Sequence, residues 1–292
     1  MRLDNERESN NIEDRRGESS GGGFHLGAGR LGIGAIVLAL VVSYFTGISP
    51  STLLNLVSGS ASPPAISSSA PALKPPANDE MATFVSKVLA DTEDTWQVIF
   101  REMNHAYRAP KLVLFRGATQ TACGTGKAAT GPFYCSLDEK VYIDLTFYQE
   151  LKDRFHAPGE FAEAYVIAHE VGHHVQKLLG ISEKVHAAQE RATNQAQANA
   201  LSVRLELQAD CFAGVWAHRA DRMQHIVEPG EIDQALNAAT AIGDDRLQQE
   251  ARGTVRPETF THGSSEQRVR WFKRGMETGQ PAQCNTFDTK KL

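Results

Sequence analysis

Between Phe161 and Leu179 the chain places Phe161, Tyr165, Ala168, Gly172, Val175 and Leu179 at alternating spacings of three and four, the pattern of one buried helical face. The same stretch contains A-H-E-V-G-H-H, Ala168 to His174. Any fold for this chain must bury that stripe and find a use for His169, Glu170 and His173 at its border. His169 and His173 are four apart, so a helix sets both imidazoles on one side, one turn apart. Two nitrogens placed in this way reach one ion at about 2.0–2.1 Å. Glu170 projects beside them, where a carboxylate can take a proton from a metal-activated water. Two histidines and a glutamate left without partners at a buried face would be costly, and a cation removes that cost.

H-E-x-x-H arises by chance in about one chain in forty of this length and composition, so the trio needs support from elsewhere. A catalytic zinc site has three protein ligands and one open position. A histidine six residues after His173 would mark the metzincins, but that position is Leu179, which excludes them. His186 is available, in a polar stretch. The other candidate is Glu206, in R-L-E-L-Q-A-D-C-F-A-G-V-W from Arg204 to Trp216. Leu201, Leu205, Ala209, Phe212 and Trp216 make an apolar helix face there, and Glu206 and Asp210 border it four residues apart. One carboxylate can bind the metal while the other accepts the free N–H of a ligand histidine. Spacing alone leaves this reading level with a solvated carboxylate pair near Arg204.

Ahead of these helices the composition shifts twice. Residues 1–30 are polar, charged and Gly/Ser-rich, which reads as disorder. Leu31 to Ile48 is an uncharged apolar run of roughly 27 Å if helical, enough to cross a bilayer core. Arg15, Arg16 and Arg30 precede it, and the next basic residue is Lys74. That bias predicts a single-pass membrane anchor with a cytoplasmic N-terminus and an extracytoplasmic domain. A cleaved signal peptide is the rival reading, with small residues at Ser58 to Ala61, but the leader is long for one. Residues 49–79, rich in Ser, Pro and Ala, read as a linker. The folded domain is expected from about residue 80 to 292.

Within that domain the patterns predict a helix or two over 80–106, strands at Lys111–Phe115 and Val141–Phe147, and helices at 161–179, 183–224 (broken), 231–250 and 264–277. Ser264 with Gln267 three residues later is a capping-box start for the last helix. Strands followed by helices point to an α+β fold. Strand 141–147 lies either inside the sheet or at its edge, where it would hold an extended substrate by strand addition. His262 is a candidate donor to a developing oxyanion or else a surface or capping residue, and Asp244-Asp245 reads as a solvated turn. A net charge of −5 gives no reason to expect nucleic acid as a partner. The four cysteines, Cys123, Cys135, Cys211 and Cys284, contain no CxxC pair, so a zinc ribbon is unsupported and either disulfides or buried thiols fit.

Five segments together resemble the bacterial neutral zinc metallopeptidase family. They are E-D-R-R-G from Glu13, G-P-F-Y-C from Gly131 followed by V-Y-I-D-L, H-E-V-G-H-H, E-L-Q-A-D-C-F-A-G-V-W, and H-G-S-S-E-Q-R from His262. The resemblance implies a zincin-like α+β fold, mostly helical with a small sheet. It implies one zinc per chain held by His169, His173 and Glu206, with Asp210 behind them, and disulfides Cys123–Cys135 and Cys211–Cys284. The activity expected is hydrolysis of peptide bonds in protein or peptide substrates, with Glu170 as general base and His262 as a candidate helper. The alternative is a membrane-anchored, non-catalytic zinc-binding scaffold of the envelope, and an intact Glu170 argues against it.

Overall fold

A computed structural model describes residues 1–18, 73–289 and 292. The apolar run 31–48 and most of the expected linker lie outside the described residues. Among the described residues no helix is long and apolar enough to cross a membrane.

Strand β1 (Ile12–Asp14) is followed by helix α1 (Glu80–Glu102), strand β2 (Lys111–Phe115), the hairpin β3 (Ala118–Thr121) and β4 (Gly124–Lys127), then β5 (Phe133–Cys135) and β6 (Lys140–Asp144). The remainder is helical: α2 (Thr146–Asp153), α3 (Glu160–Leu178), α4 (Ile181–Glu190), α5 (Gln195–Gln224), α6 (Glu231–Ala241), α7 (Asp244–Arg252) and α8 (Ser265–Thr278). This is the mostly helical α+β class expected. The four-stranded sheet has the order β1-β2-β6-β5. β1 and β6 run parallel to β2, and β5 runs antiparallel to β6.

Alternation along the strands divides their side chains between two faces. Ile12, Leu112, Leu114, Val141 and Ile143 join the main helical core. Val113, Phe115 and Tyr142 pack on the other face with Cys135 and Phe133, and the Phe133 ring stacks on Tyr142 at 4.9 Å. The β3–β4 hairpin covers that second face, with Gly126 against the Phe133 ring.

Residues 1–18 correct the expectation of disorder. β1 pairs in register with β2, Ile12 opposite Leu112, and Leu3 and Ile12 are buried in the main core. The charges that made the segment look unfoldable are paired at long range. Glu13 meets Lys111 at 3.0 Å and Lys140 at 2.8 Å, which holds its carboxyl down to about 2 despite burial. Arg16 bridges Asp14 and Asp79, both at 2.6 Å, and Asp79 caps α1 by accepting the Ala82 N–H.

Other boundaries shift for local reasons. The strand expected over 141–147 stops at Asp144, whose carboxylate accepts the Thr146 N–H and hydroxyl and turns the chain into α2. β6 lies between β2 and β5, so it is internal, and among the described residues β5 is an outer strand, as β1 is on the far side. The helix expected over 231–250 breaks at Ile242 and Gly243, and the long one over 183–224 breaks between Glu190 and Gln195. The capping box at Ser264 and Gln267 forms as expected.

Two helix crossings bring distant segments of the chain into close register. A Cβ on Gly172 of α3 would lie 3.0 Å from the Ala209 carbonyl oxygen of α5, so these backbones nearly touch. The crossing of α5 and α8 is tighter still: a Cβ on Gly275 would meet the Cys211 carbonyl oxygen at 2.0 Å. At Gly275 only glycine fits, and at Gly172 a Cβ would require the Ala209 backbone to give by a few tenths of an ångström. Cys211–Cys284 then ties α5 to the segment after α8, and Cys123–Cys135 ties the hairpin to β5, the two disulfides that the resemblance implied.

Candidate metal centre

The close crossing of α3 and α5 brings Glu206 opposite the two histidines. Glu206 Oε2 lies 3.2 Å from His169 Nε2, and Oε1 lies 3.5 Å from His173 Nε2. The two rings are 4.8 Å apart and perpendicular. Ligand atoms of His169, His173 and Glu206 all lie within 4.8 Å of one another, the one such grouping of three His, Cys, Asp or Glu side chains among the described residues. His186 lines the same cavity but is not in this grouping; it is exposed and 3.5 Å from Glu190.

The outer nitrogens of both rings are already committed. His169 Nδ1 lies 2.8 Å from Asp210 Oδ1, and a buried carboxylate there accepts its proton. His173 Nδ1 lies 2.9 Å from Gln176 Oε1, and the Gln176 amide is turned by donating to the Leu205 carbonyl at 2.7 Å. Each imidazole therefore turns Nε2 toward the shared centre, where a metal would displace the proton that nitrogen carries. Two such nitrogens and a carboxylate form the donor set of a catalytic zinc site, so these residues fit zinc.

Electrostatics fit a cation as well. Burial alone would lower the His169 pKa, but Asp210 and Glu206 outweigh it and hold it up to about 10. His173 is raised against its burial by Glu206. Glu206 is held well below the usual carboxylate range by the two histidines, although burial opposes them. Asp210 is held down to about 2 against burial, chiefly by Arg268 and His169. The metal-free cluster thus holds protons where a cation would sit. Glu170 is buried beside the histidines; desolvation raises its pKa, and His169 and His173 partly offset that.

His169, Glu170, His173 and Glu206 line a cavity of about 940 Å³. One wall is β5 and the residues before it, Gly131 to Tyr134; another is apolar, with Phe147, Phe155, Val166 and Leu247. Tyr134 is fixed from behind, its hydroxyl 2.9 Å from Nδ1 of the buried His174. His262 also lines the cavity. It is held by Asp244, which is mostly buried and accepts the backbone N–H groups of Thr261, His262 and Gly263 at 2.6–3.0 Å. Asp244 is therefore an organiser of this loop and not the solvated turn that its sequence suggests. Asp244 also raises the His262 pKa.

The residues absent from the sequence reading are Tyr165 as a polar partner, Gln176 and Arg268. Tyr165 donates its hydroxyl to Asp210 Oδ1 at 2.6 Å, and Arg268 reaches both Asp210 oxygens at 2.9 Å. Arg268 lay within a segment of the resemblance, but a lone arginine in a helix gives no hint of burial.

A His–His–Glu group on crossed helices of a mostly helical α+β domain is consistent with the zincin-like class and could hold a metal ion. The chain belongs to the family described as "Putative neutral zinc metallopeptidase", whose model matches residues 1–287. "Uncharacterized protein YpfJ" of Escherichia coli strain K12 is 53% identical over 292 residues, covering 98% of this chain and 99% of that protein. "Uncharacterized protein Rv2575" of Mycobacterium tuberculosis is 42% identical over 219 residues, 72% of this chain and 73% of that protein. No solved structure matches the chain.

Proposed function

We propose that this protein is a zinc-dependent endopeptidase with one metal per chain, held by His169, His173 and Glu206. The observation that carries the reading is the position of Glu170, which shares the cavity with the three ligands and adjoins His169 on the same helix. A protein that only stored or displayed zinc would need the ligands and not this carboxylate. Zinc, when bound, polarises a carbonyl and lowers the pKa of water toward about 7.

The chain's own residues supply the rest. Glu170 takes the proton of the attacking water and passes it to the leaving amine as the C–N bond breaks. Its desolvated setting raises its basicity, which suits that exchange. Asp210 and Gln176 keep the histidine rings turned. His262, its pKa raised by Asp244, is the proposed donor to the developing oxyanion. Among the described residues β5 pairs only with β6, and its unpaired side suits an extended peptide added as a further strand. The apolar wall of Phe147, Phe155, Val166 and Leu247 suits a large apolar side chain next to the scissile bond.

The test compares wild type with Glu170→Gln, measuring zinc content and turnover of a denatured protein. The expected result is full zinc in both and a loss of about 10²–10⁴ in rate for the variant. Equal turnover would overturn the role of Glu170. Zinc in both with no turnover of any amide would favour the scaffold reading.

A further inference from the structure

Asp210 has no exposed surface, yet it serves four donor groups. Its Oδ1 receives Tyr165 at 2.6 Å, His169 Nδ1 at 2.8 Å and Arg268 Nη2 at 2.9 Å, while Oδ2 receives Arg268 Nε at 2.9 Å. Arg268 is itself 2% exposed. Its Nη2 also reaches the Tyr165 hydroxyl at 3.2 Å, and Nη1 reaches the Ile242 carbonyl at 3.4 Å. A guanidinium fork is planar and rigid, so a two-point grip fixes the plane of the carboxylate it holds. With that plane fixed, Oδ1 is held where it meets His169 Nδ1 as well as Tyr165 and Arg268. The approach of α8 to α5 at Gly275 carries the guanidinium to that depth.

We propose that Arg268 is a positioning residue of the metal centre. It acts through Asp210, holding that carboxylate in the orientation that turns His169 Nε2 toward the ion. A guanidinium that merely joined α5 to α8 could have paired with any carboxylate along the crossing. This one grips the carboxylate that accepts the Nδ1 proton of a ligand histidine. The inference rests on the zinc reading of the site and is independent of peptide hydrolysis.

Zinc affinity of the purified full chain, measured by competition with a chromogenic chelator, tests it without any substrate. Arg268→Gln should bind zinc roughly 10–100-fold more weakly than wild type. Arg268→Lys, which keeps the charge and loses the fork, should fall between the two. In the background of Asp210→Asn, which is itself weakened, adding Arg268→Gln should change affinity by less than about threefold. The visible spectrum of the Co²⁺-loaded protein should shift in Arg268→Lys, because the ligand ring has turned. Circular dichroism of each metal-free variant reports whether it folds; if Arg268→Gln does not, Arg268→Lys carries the test. Wild-type affinity and an unshifted spectrum in a folded variant would overturn the proposal. So would losses that multiply in the double variant. A wild-type chain that binds no zinc would instead overturn the metal reading beneath it.

Discussion

Gly172 and Ala209 face each other so closely that the first β-carbon on Gly172 would lie 3.0 Å from the Ala209 carbonyl oxygen. This contact sits between His169 and His173 on one helix and between Glu206 and Asp210 on the other. The absence of a side chain at Gly172 therefore sets the distance across which the ligands meet. Gly172→Val should separate the helices, destabilising the fold by about 1–3 kcal/mol and weakening zinc binding beyond what that loss explains. Urea unfolding and chelator competition on the same sample check this; unchanged zinc affinity would show that the spacing is not critical.

Glu206→Ala should abolish stoichiometric zinc while leaving the metal-free protein folded. The removed carboxylate is held well below its usual pKa by two histidines, so both rings lose the anionic oxygen that faces them across the centre. Metal analysis after dialysis reads the result. His186, exposed beside Glu190, should not substitute, and His186→Ala should retain full zinc.

Zinc uptake at neutral pH should release protons. His169 is held up to about 10 and His173 is raised, so the empty site carries protons that a metal must displace. The apparent affinity should therefore rise with pH between about 6 and 9. Calorimetry in buffers of different ionisation enthalpy measures the protons released, and a buffer-independent heat would contradict the assignment.

Away from the centre, Asp91 is buried under Trp216, whose indole N–H it accepts. Burial, with Glu6 and Asp94 adding to it, pushes its carboxyl up to about 7. The folded state then binds this proton more tightly than the unfolded state, whose value is about 3.9. Stability should fall as pH rises from about 4 to 7, and the full penalty should remain above that. Asp91→Asn keeps an acceptor for Trp216 and removes the titration, so it should shrink this loss by roughly 2–4 kcal/mol. Denaturant midpoints at pH 5 and pH 8 decide the matter.

What could be read in the sequence was what is local. The stripe through α3, the carboxylate pair at Glu206 and Asp210, and the Ser264 capping box are all fixed by spacing within one element, and all appear where expected. What could not be read depends on distant partners. β1 is three residues long, and its charges match Lys111 and Lys140 nearly a hundred residues or more away. β5 is equally short and is recognisable as an edge only once β6 is seen to be internal. Arg268 and Asp244 look like surface charges because nothing within a turn of either reveals the partner that buries it.

The parallel ladder between β1 and β2 also moves the start of the domain. Ile12 and Leu112 are neighbours in one sheet, so residues 1–18 and the chain from 73 onward belong to one folded unit. A truncation at residue 80 would remove an outer strand of that sheet together with Glu13, the counter-charge of Lys111 and Lys140.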